Sequence, residues 1–178
     1  MRDGFIRVAS VSPDIRVCDV EYNKENIKKA IEKEWENKTG IIVFPELCLT
    51  AYTCNDLFFQ DTLISEAKKA LKEIVDFTAG HKSVIFLGLP WDYKGKLYNV
   101  VAAISNGLIL GLINKMNLPN YGEFYEERYF NRGFEHAVWV DLFDDVIPMG
   151  SKILFECTNI PGLVLAGEIC EDLWVADP

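Results

Sequence analysis

Short apolar runs recur along this chain and alternate with longer, more polar segments. The runs are rich in Val, Ile and Leu and are bounded by turn-forming residues, which is typical of buried β-strands. We predict strands at residues 6–11, 41–44, 84–89, 99–104, 108–113, 153–157 and 163–169. Between the fourth and fifth of these strands, the sequence Ser105-Asn106-Gly107 predicts a tight turn.

The polar segments between the first three strands have helical periodicity. In the first segment, apolar residues recur at Ile27, Ala30, Ile31 and Trp35, and Gly40 is the expected helix stop. The second helix is predicted to follow Asp61 and to end at Gly80. Its inner face is expected to contain Leu63, Ile64, Ala67, Leu71, Ile74 and Phe77. This β-α-β-α-β order predicts the α/β class, with a mixed sheet covered by helices.

The composition favours one globular domain in the cytoplasm. The chain has 178 residues, of which 49% are hydrophobic and 25% charged, so it can bury a sizeable core. Its longest apolar stretch, residues 100–113, is broken by the predicted turn and is too short to span a membrane. The first residues contain no long apolar segment of the kind found in signal peptides. We therefore expect no membrane partner.

Charge and cysteine spacing bear on two further classes of partner. The net charge of −9 would repel a phosphate backbone, and no basic patch compensates for it, so we expect no nucleic-acid partner. The five cysteines are scattered without CxxC spacing, which indicates neither a disulfide framework nor a zinc site. We accordingly expect no metal site.

Three residues that can take part in catalysis follow predicted strands. Glu46 follows the second strand, Lys115 follows the fifth, and Cys170 follows the last. Ligands of open α/β sheets bind at the carboxyl ends of strands, so these side chains are candidates for one site. A thiol at a strand-to-helix turn would face backbone N–H groups that favour the thiolate. A glutamate could exchange protons, and a lysine could stabilise an oxyanion.

Each of these residues also has a structural interpretation that leaves its role open. A single cysteine after a strand is commonly inert packing. Glu46 after Pro45 can be a helix-start carboxylate, and an isolated lysine such as Lys115 is usually a solvated surface cation. The pattern of strand ends alone thus gives a candidate site without deciding its chemistry.

The local sequences around these residues narrow the alternatives. "FPELCLTAY", "NKMNLPNYGEFYEERYF" and "EICEDLW" resemble, in chain order, the three catalytic blocks of the nitrilase (carbon–nitrogen hydrolase) superfamily. "LTAYTCNDLFFQ", "LPNYGEFYEERYF" and "CEDLW" are similar to the glutaminase domain of the glutamine-dependent NAD synthetase family. The resemblance implies a nitrilase-like α-β-β-α sandwich, truncated here after the nucleophile strand.

The resemblance also implies roles for individual residues. Glu46 would be the general base and acid, Lys115 the oxyanion stabiliser and Cys170 the nucleophile, while Glu126 would help to hold the lysine. The residues in positions that contact glutamine in the family are Tyr52, Tyr121, Phe124 and Glu171. Aromatic packing under a loop remains an alternative for Tyr121 and Phe124, and a place in the first turn of a helix remains one for Glu171 and Asp172.

The family resemblance implies the hydrolysis of L-glutamine to L-glutamate and ammonia through a cysteine thioester, without a metal or organic cofactor. In the family, the ammonia passes to a synthetase domain that uses ATP and Mg to amidate nicotinic acid adenine dinucleotide. We expect residues 1–178 to form part of the glutamine amidohydrolase domain, with its remainder and the synthetase domain absent.

Three further expectations concern activity and assembly. The resemblance implies a homo-oligomer, with the synthetase domain of the full-length chain as a partner. Hydrolysis of another amide by a nitrilase-superfamily enzyme is the alternative function. A folded but inactive fragment is the other alternative.

Overall fold

A seven-stranded mixed sheet forms the centre of the fold. The computed structural model describes residues 4–176. Parallel pairing joins the first three strands along the sheet and also joins β5 to β7, whereas the other pairs are antiparallel. The strands are β1 Val8–Ser10, β2 Ile41–Val43, β3 Val84–Tyr93, β4 Lys96–Ser105, β5 Leu108–Asn114, β6 Val138–Leu142 and β7 Asp145–Gly150, in the order β1-β2-β3-β4-β5-β7-β6.

Two long helices cover one face of this sheet. Helix α1 (Val20–Glu36) begins at Asp19, whose side chain accepts a hydrogen bond from the Tyr22 N–H, and helix α2 is Asp61–Phe77. Side chains alternate along each strand, so one set packs under the helices and the other points away from them. Within residues 4–176, no helix combines the length and the apolar character needed to span a bilayer.

A shorter segment covers part of the opposite face. Strands β8 (Phe155–Glu156) and β9 (Val164–Leu165) form a separate two-stranded sheet. Phe155 and Leu165 pack against a second apolar cluster of the main sheet, which contains Ile41, Phe86, Ala103 and Ile113. Gly167 allows this approach, because a Cβ atom there would lie 2.5 Å from the Ile113 side chain. The segment before Cys170 therefore lies across the sheet.

The α/β class and both long helices are confirmed, and each predicted strand region contains a strand. The predicted strand at residues 163–169 was too long, because only Val164–Leu165 pairs with a neighbour. Strands β6 and β7 were not predicted. Their alternation of apolar with polar or exposed residues is interrupted by a turn at Phe143 and by Pro148, which weakened the pattern.

The three predicted turn or stop positions have different outcomes. Gly40 does not end α1: Lys38 takes the left-handed conformation (φ 58°), and Gly40 is needed because a Cβ atom would lie 2.8 Å from Ile6. Gly80 does follow the end of α2 with φ 85°. The turn between β4 and β5 is confirmed, with positive φ at both Asn106 and Gly107.

Candidate active site

Four neighbouring strands each place one residue at the same edge of the sheet. Glu46 follows β2, Gly88 lies in β3, Asn99 lies in β4 and Lys115 follows β5. Because these strands are adjacent in the order β2-β3-β4-β5, residues far apart in sequence meet there. Glu46 and Lys115, both predicted as strand-end residues, are thereby brought into direct contact.

The turn that carries Glu46 packs directly on Gly88. Leu47 has a positive φ of 51°, which folds the chain back over β3 immediately after the glutamate. A Cβ atom on Gly88 would lie 2.5 Å from both the Leu47 nitrogen and the Pro45 oxygen. Any larger residue in β3 would therefore displace this turn, and Gly88 is the residue that lets Glu46 approach the sheet.

Lys115 is completely buried and is held between two carboxylates. Its Nζ atom lies 2.6 Å from Oε1 of Glu46 and 2.7 Å from Oε1 of Glu126, and its exposed fraction is 0%. Burial acts to lower the pKa of Lys115, but the charge of Glu46 and the hydrogen bonds to both glutamates outweigh it, so the pKa is raised. Lys115 therefore keeps its positive charge and is no solvated surface cation.

Glu126 begins the short helix α3 (Glu126–Tyr129) and is 3% exposed. Its Oε1 atom accepts a hydrogen bond from the Tyr52 hydroxyl at 2.8 Å as well as the one from Lys115. Its Oε2 atom is buried and has no partner among residues 4–176. Burial is the largest cause that raises the pKa of Glu126; the Lys115 hydrogen bond opposes it, and the charge of Glu46 adds to it.

Helix α3 is fixed to the short 3-10 helix Asn55–Phe59, which follows the turn of Glu46 along the chain. Arg128 donates from Nε and Nη2 to the two carboxylate oxygens of Asp56, at 2.7 and 2.9 Å. Beneath this pair, the rings of Phe58 and Phe130 meet edge to face with centroids 4.9 Å apart. These contacts hold Glu126 against Lys115 although α3 itself is only one turn long.

Asn99 is a site residue that sequence reasoning missed. Its Nδ2 atom donates to Oε1 of Glu46 at 2.6 Å, and the residue is 1% exposed. Its backbone oxygen accepts the hydrogen bond of the Lys115 N–H at 2.9 Å. The available signal was a polar residue inside an otherwise apolar strand, which is rarely buried without a partner.

Cys170 opens a short 3-10 helix, Cys170–Trp174, and has a positive φ of 49°. Cys170 and Glu46 line one cavity of about 330 Å³. Its other walls are mainly apolar side chains of β1–β4 and of the segment before Cys170. A larger cavity of about 890 Å³ on the same face of the sheet contains neither residue. Cys170 therefore shares its cavity with the glutamate, at the carboxyl edge of the sheet.

The expected preference for the thiolate is wrong for this arrangement. The residue is exposed overall, yet burial of the thiol raises the pKa of Cys170, and the charge of Glu46 raises it further. Lys115 acts in the opposite direction without reversing the result. Burial is thus the largest cause of the raised pKa, the charges of Glu46, Glu126 and Glu171 add to it, and the 3-10 helix that begins at Cys170 has only five residues.

The predicted substrate contacts extend from the partly buried Tyr52 to the exposed Tyr121. Tyr52 is committed to Glu126, and its pKa is raised by burial and by that hydrogen bond. Tyr121 is exposed and donates from its hydroxyl to Glu171, at 2.9 Å from Oε2. The Phe124 ring packs edge to face between the rings of Tyr52 and Tyr121, with centroids 6.5 and 5.8 Å away. These residues therefore form a wall from the buried charges to the surface.

Glu171 and Asp172 do lie in the first turn of the short helix, but the carboxylate of Asp172 has partners far away in the sequence. Asp172 is 4% exposed, and its carboxylate accepts hydrogen bonds from the backbone N–H groups of Met116 and Asn117. The segment of the cysteine is thus joined to the residues that directly follow Lys115. Within residues 4–176, no group of three or more His, Cys, Asp or Glu side chains is arranged to hold a metal ion.

Comparison with known proteins identifies relatives of the whole described region. Residues 7–177 match the model of the carbon-nitrogen hydrolase family. The glutamine-dependent NAD(+) synthetase of Mycobacterium leprae (strain TN) is 33% identical over 175 residues, which are 98% of this chain. The protein with the same name from Aquifex aeolicus (strain VF5) is 38% identical over 161 residues, or 90% of this chain.

A solved structure is similar in the same region. The crystal structure of a glutamine-dependent NAD(+) synthetase from Cytophaga hutchinsonii superposes with a TM-score of 0.81 at 32% identity and covers 86% of this chain. The likeness confirms the predicted nitrilase-like fold class. This chain spans only 26% of the length of the Mycobacterium and Cytophaga proteins and 25% of the Aquifex protein.

Proposed function

Because this chain belongs to the carbon–nitrogen hydrolase family, we propose that it hydrolyses the side-chain amide of L-glutamine to L-glutamate and ammonia. The choice of glutamine is supported by the names of its relatives, which are glutamine-dependent NAD(+) synthetases. The observation that carries the chemistry is the contact of Glu46 with the buried Lys115, beside the cavity that Glu46 shares with Cys170.

In the first half-reaction, the Cys170 sulfur attacks the side-chain amide carbon of glutamine as its proton passes to Glu46. Both donors to Glu46, Lys115 Nζ and Asn99 Nδ2, bind Oε1, so Oε2 is the oxygen left to exchange protons. The same oxygen then returns the proton to the leaving nitrogen, and ammonia departs. The raised pKa of the thiol makes this base necessary, because little thiolate is present beforehand.

Lys115 stabilises the negative oxygen of the tetrahedral intermediate. An ammonium group has three N–H donors, and two of those on Lys115 are held by Glu46 and Glu126. The third is available to the substrate oxygen, together with the backbone N–H of Glu171. Since the pKa of Lys115 is raised, the lysine acts through its charge and does not serve as a base.

In the second half-reaction, water attacks the thioester while Glu46 accepts its proton. The carbon–sulfur bond breaks, L-glutamate leaves and the proton returns to Cys170, so neither step requires a redox or metal cofactor. Tyr52, Tyr121, Phe124 and Glu171 are the proposed glutamine contacts. The hydroxyl of Tyr52 acts through Glu126, and the pair formed by Tyr121 and Glu171 lies at the exposed rim.

At the level of the whole protein, residues 1–178 form part of a glutamine amidohydrolase domain. The ammonia then amidates nicotinic acid adenine dinucleotide in an ATP- and Mg-dependent synthetase domain of a longer, homo-oligomeric chain in the cytoplasm. The names of the relatives and their greater length support the synthetase domain, whereas the homo-oligomer and the cytoplasm follow from the family resemblance alone.

The proposal is tested by glutamate release from L-glutamine, measured on the 178-residue chain and on the full-length gene product. We expect release that disappears in Cys170→Ala, with aliphatic amides hydrolysed much more slowly. Release that persists in full-length Cys170→Ala would contradict the mechanism. Faster hydrolysis of an aliphatic amide would instead indicate another amidase, and activity confined to the full-length protein would show that the shorter chain is an inactive fragment.

A further inference from the structure

The cysteine segment is fastened to the lysine segment by one buried carboxylate. Asp172 lies two residues after Cys170, and its Oδ1 atom accepts hydrogen bonds from the Asn117 N–H at 2.8 Å and from Asn117 Nδ2 at 2.9 Å. The Met116 N–H is shared between the two oxygens, at 3.2 and 3.3 Å. All of these donors belong to the two residues that directly follow Lys115.

The other contacts of this segment are apolar packing, such as that of Ile169 and Leu165, short strand pairing within the two-stranded sheet, or exposed to solvent. Strand β9 pairs over only two residues, and the hydrogen bond between Tyr121 and Glu171 is exposed to solvent. Gly167 only makes a close apolar approach to Ile113. The hydrogen bonds between a buried carboxylate and several N–H groups are strong and directional, because the charge is stabilised only when those donors stay in place.

The backbone at Cys170 requires such an attachment. Its φ of 49° is a left-handed conformation, which is unfavourable for an L-residue and persists only when the surroundings enforce it. Asp172 is the buried polar residue nearest to Cys170 in sequence, and it lies in the same short helix, so it can enforce this backbone conformation.

We infer that Asp172 is a positioning residue, which holds the Cys170 thiol at a fixed place relative to Lys115 and Glu46. The inference rests on the proposed role of Cys170 as the nucleophile. Asp172 itself touches only the backbone and the side chain that follow Lys115, so it acts on the reaction through the placement of the thiol.

The test compares Asp172→Asn with Thr78→Val in the full-length protein. Asparagine has nearly the same shape but carries no charge, and its N–H₂ group takes the place of Oδ2, the oxygen that accepts from the Met116 N–H. Thr78 is equally buried, with its hydroxyl bonded to the Val75 oxygen and the Gly107 N–H, at the end of β5 opposite Lys115. Both variants should lose stability, so the control separates general destabilisation from misplacement.

For Asp172→Asn we expect kcat for glutamine to fall by about 100-fold, the effect of a reacting atom misplaced by roughly 1 Å. KM should change by less than about threefold, because the proposed contacts Tyr52, Tyr121 and Phe124 belong to other segments of the chain. Thr78→Val should keep its kcat within about threefold of the wild type at a temperature where both variants are folded. Equal kcat values for the two variants, or a loss confined to KM, would overturn the inference.

A second readout does not depend on turnover. The rates at which iodoacetamide alkylates Cys170 and the half-buried Cys157 are measured in the same molecule by mass spectrometry. In Asp172→Asn the Cys170 thiol should lie farther from Glu46 and be less buried, so it should ionise more readily. The ratio of the Cys170 rate to the Cys157 rate should therefore rise by at least about threefold at pH 7. Thr78→Val should leave the ratio unchanged, and an unchanged or lower ratio in Asp172→Asn would overturn the inference.

The two proposals can fail separately. If Cys170→Ala abolishes glutamine hydrolysis but Asp172→Asn behaves as Thr78→Val does, the function stands and the positioning role is wrong. If the full-length wild type does not hydrolyse glutamine, the function is wrong, and the alkylation ratio alone decides whether Asp172 positions the thiol.

Discussion

Two buried lysines of this molecule are each held by two glutamates, yet their surroundings differ. Lys24 of α1 pairs with Glu21 and Glu73 at 2.6 Å each, where α1 meets α2. Lys115 pairs with Glu46 and Glu126 at nearly the same distances. The side chains of Glu21 and Glu73 are 76% and 52% exposed, whereas those of Glu46 and Glu126 are 16% and 3% exposed.

This difference separates a structural ion pair from a candidate catalytic one. Water solvates the carboxylates around Lys24, so each can ionise without its partner, and the pairing contributes little. Around Lys115 the carboxylates are much less solvated, and Glu126 in particular is almost fully buried, so their charge depends far more on the lysine. The contact geometry of a lysine and two glutamates is therefore uninformative until the burial of the carboxylates is known.

The largest effect is expected from Lys115→Met, which keeps the length of the side chain and removes its charge. The buried Glu126 and the largely buried Glu46 then lose their counter-charge, and we expect the free energy of unfolding to fall by about 3–5 kcal/mol. Glutamine hydrolysis should be lost as well. Chemical denaturation monitored by circular dichroism measures the stability, and a loss below that of Lys24→Met would refute the contrast between the two sites.

An intermediate effect is expected from Glu126→Gln, with a characteristic dependence on pH. The substitution should cost about 1–3 kcal/mol through the altered hydrogen bonds to Lys115 and Tyr52. The pKa of Glu126 in the folded state is raised above its ordinary value of 4.5, so its contribution to stability is present below that value and is lost as the pH rises through the raised pKa. The stability advantage of the wild type over Glu126→Gln should therefore shrink as the pH increases above about 4.5.

Glu73→Gln is the matched variant, and its pH dependence should have the opposite sign. The hydrogen bond from Lys24 lowers the pKa of Glu73, so its contribution is present above the ordinary value of 4.5 and is lost as the pH falls through the lowered pKa. Denaturation curves recorded across this range for both variants give the two slopes. Slopes of the same sign would show that burial does not distinguish the two carboxylates.

The smallest effect is expected from Lys24→Met. Glu21 and Glu73 remain solvated after the charge is removed, and the methionine side chain still fills the space between the helices. We expect a loss of about 1 kcal/mol or less, with glutamine hydrolysis unchanged. A loss approaching that of Lys115→Met, measured under the same conditions, would show that solvation of the partners does not protect the site.

Patterns among neighbouring residues in the sequence were sufficient to predict part of this structure. The apolar runs identified strands, and the helical periodicity of Ile27, Ala30 and Ile31 identified α1, because both signals arise within a few neighbouring residues. Glu46 and Lys115 could be named as candidates since strand ends are visible in sequence. Strands β6 and β7 were missed because charged residues and Pro148 interrupt their alternation.

Contacts between distant residues could not be predicted in the same way. Asn99 meets a glutamate 53 positions away, and Asp172 meets a backbone 55 positions away. Each was visible as a polar residue within or beside an apolar segment, but the partner depends on which strands are neighbours. The position of Asp172 at the start of a short helix favoured a local role, and the fold directs its carboxylate to Met116 and Asn117 instead.

The order of the site residues along the chain has a consequence for protein synthesis. Glu46, Asn99, Lys115 and Glu126 all precede Cys170, and a ribosome releases them in that order. The charged side chains can therefore find their partners on a nascent chain that does not yet contain Cys170. The Cys170 thiol is synthesised after all four of them, and Asp172 follows it after a single intervening residue.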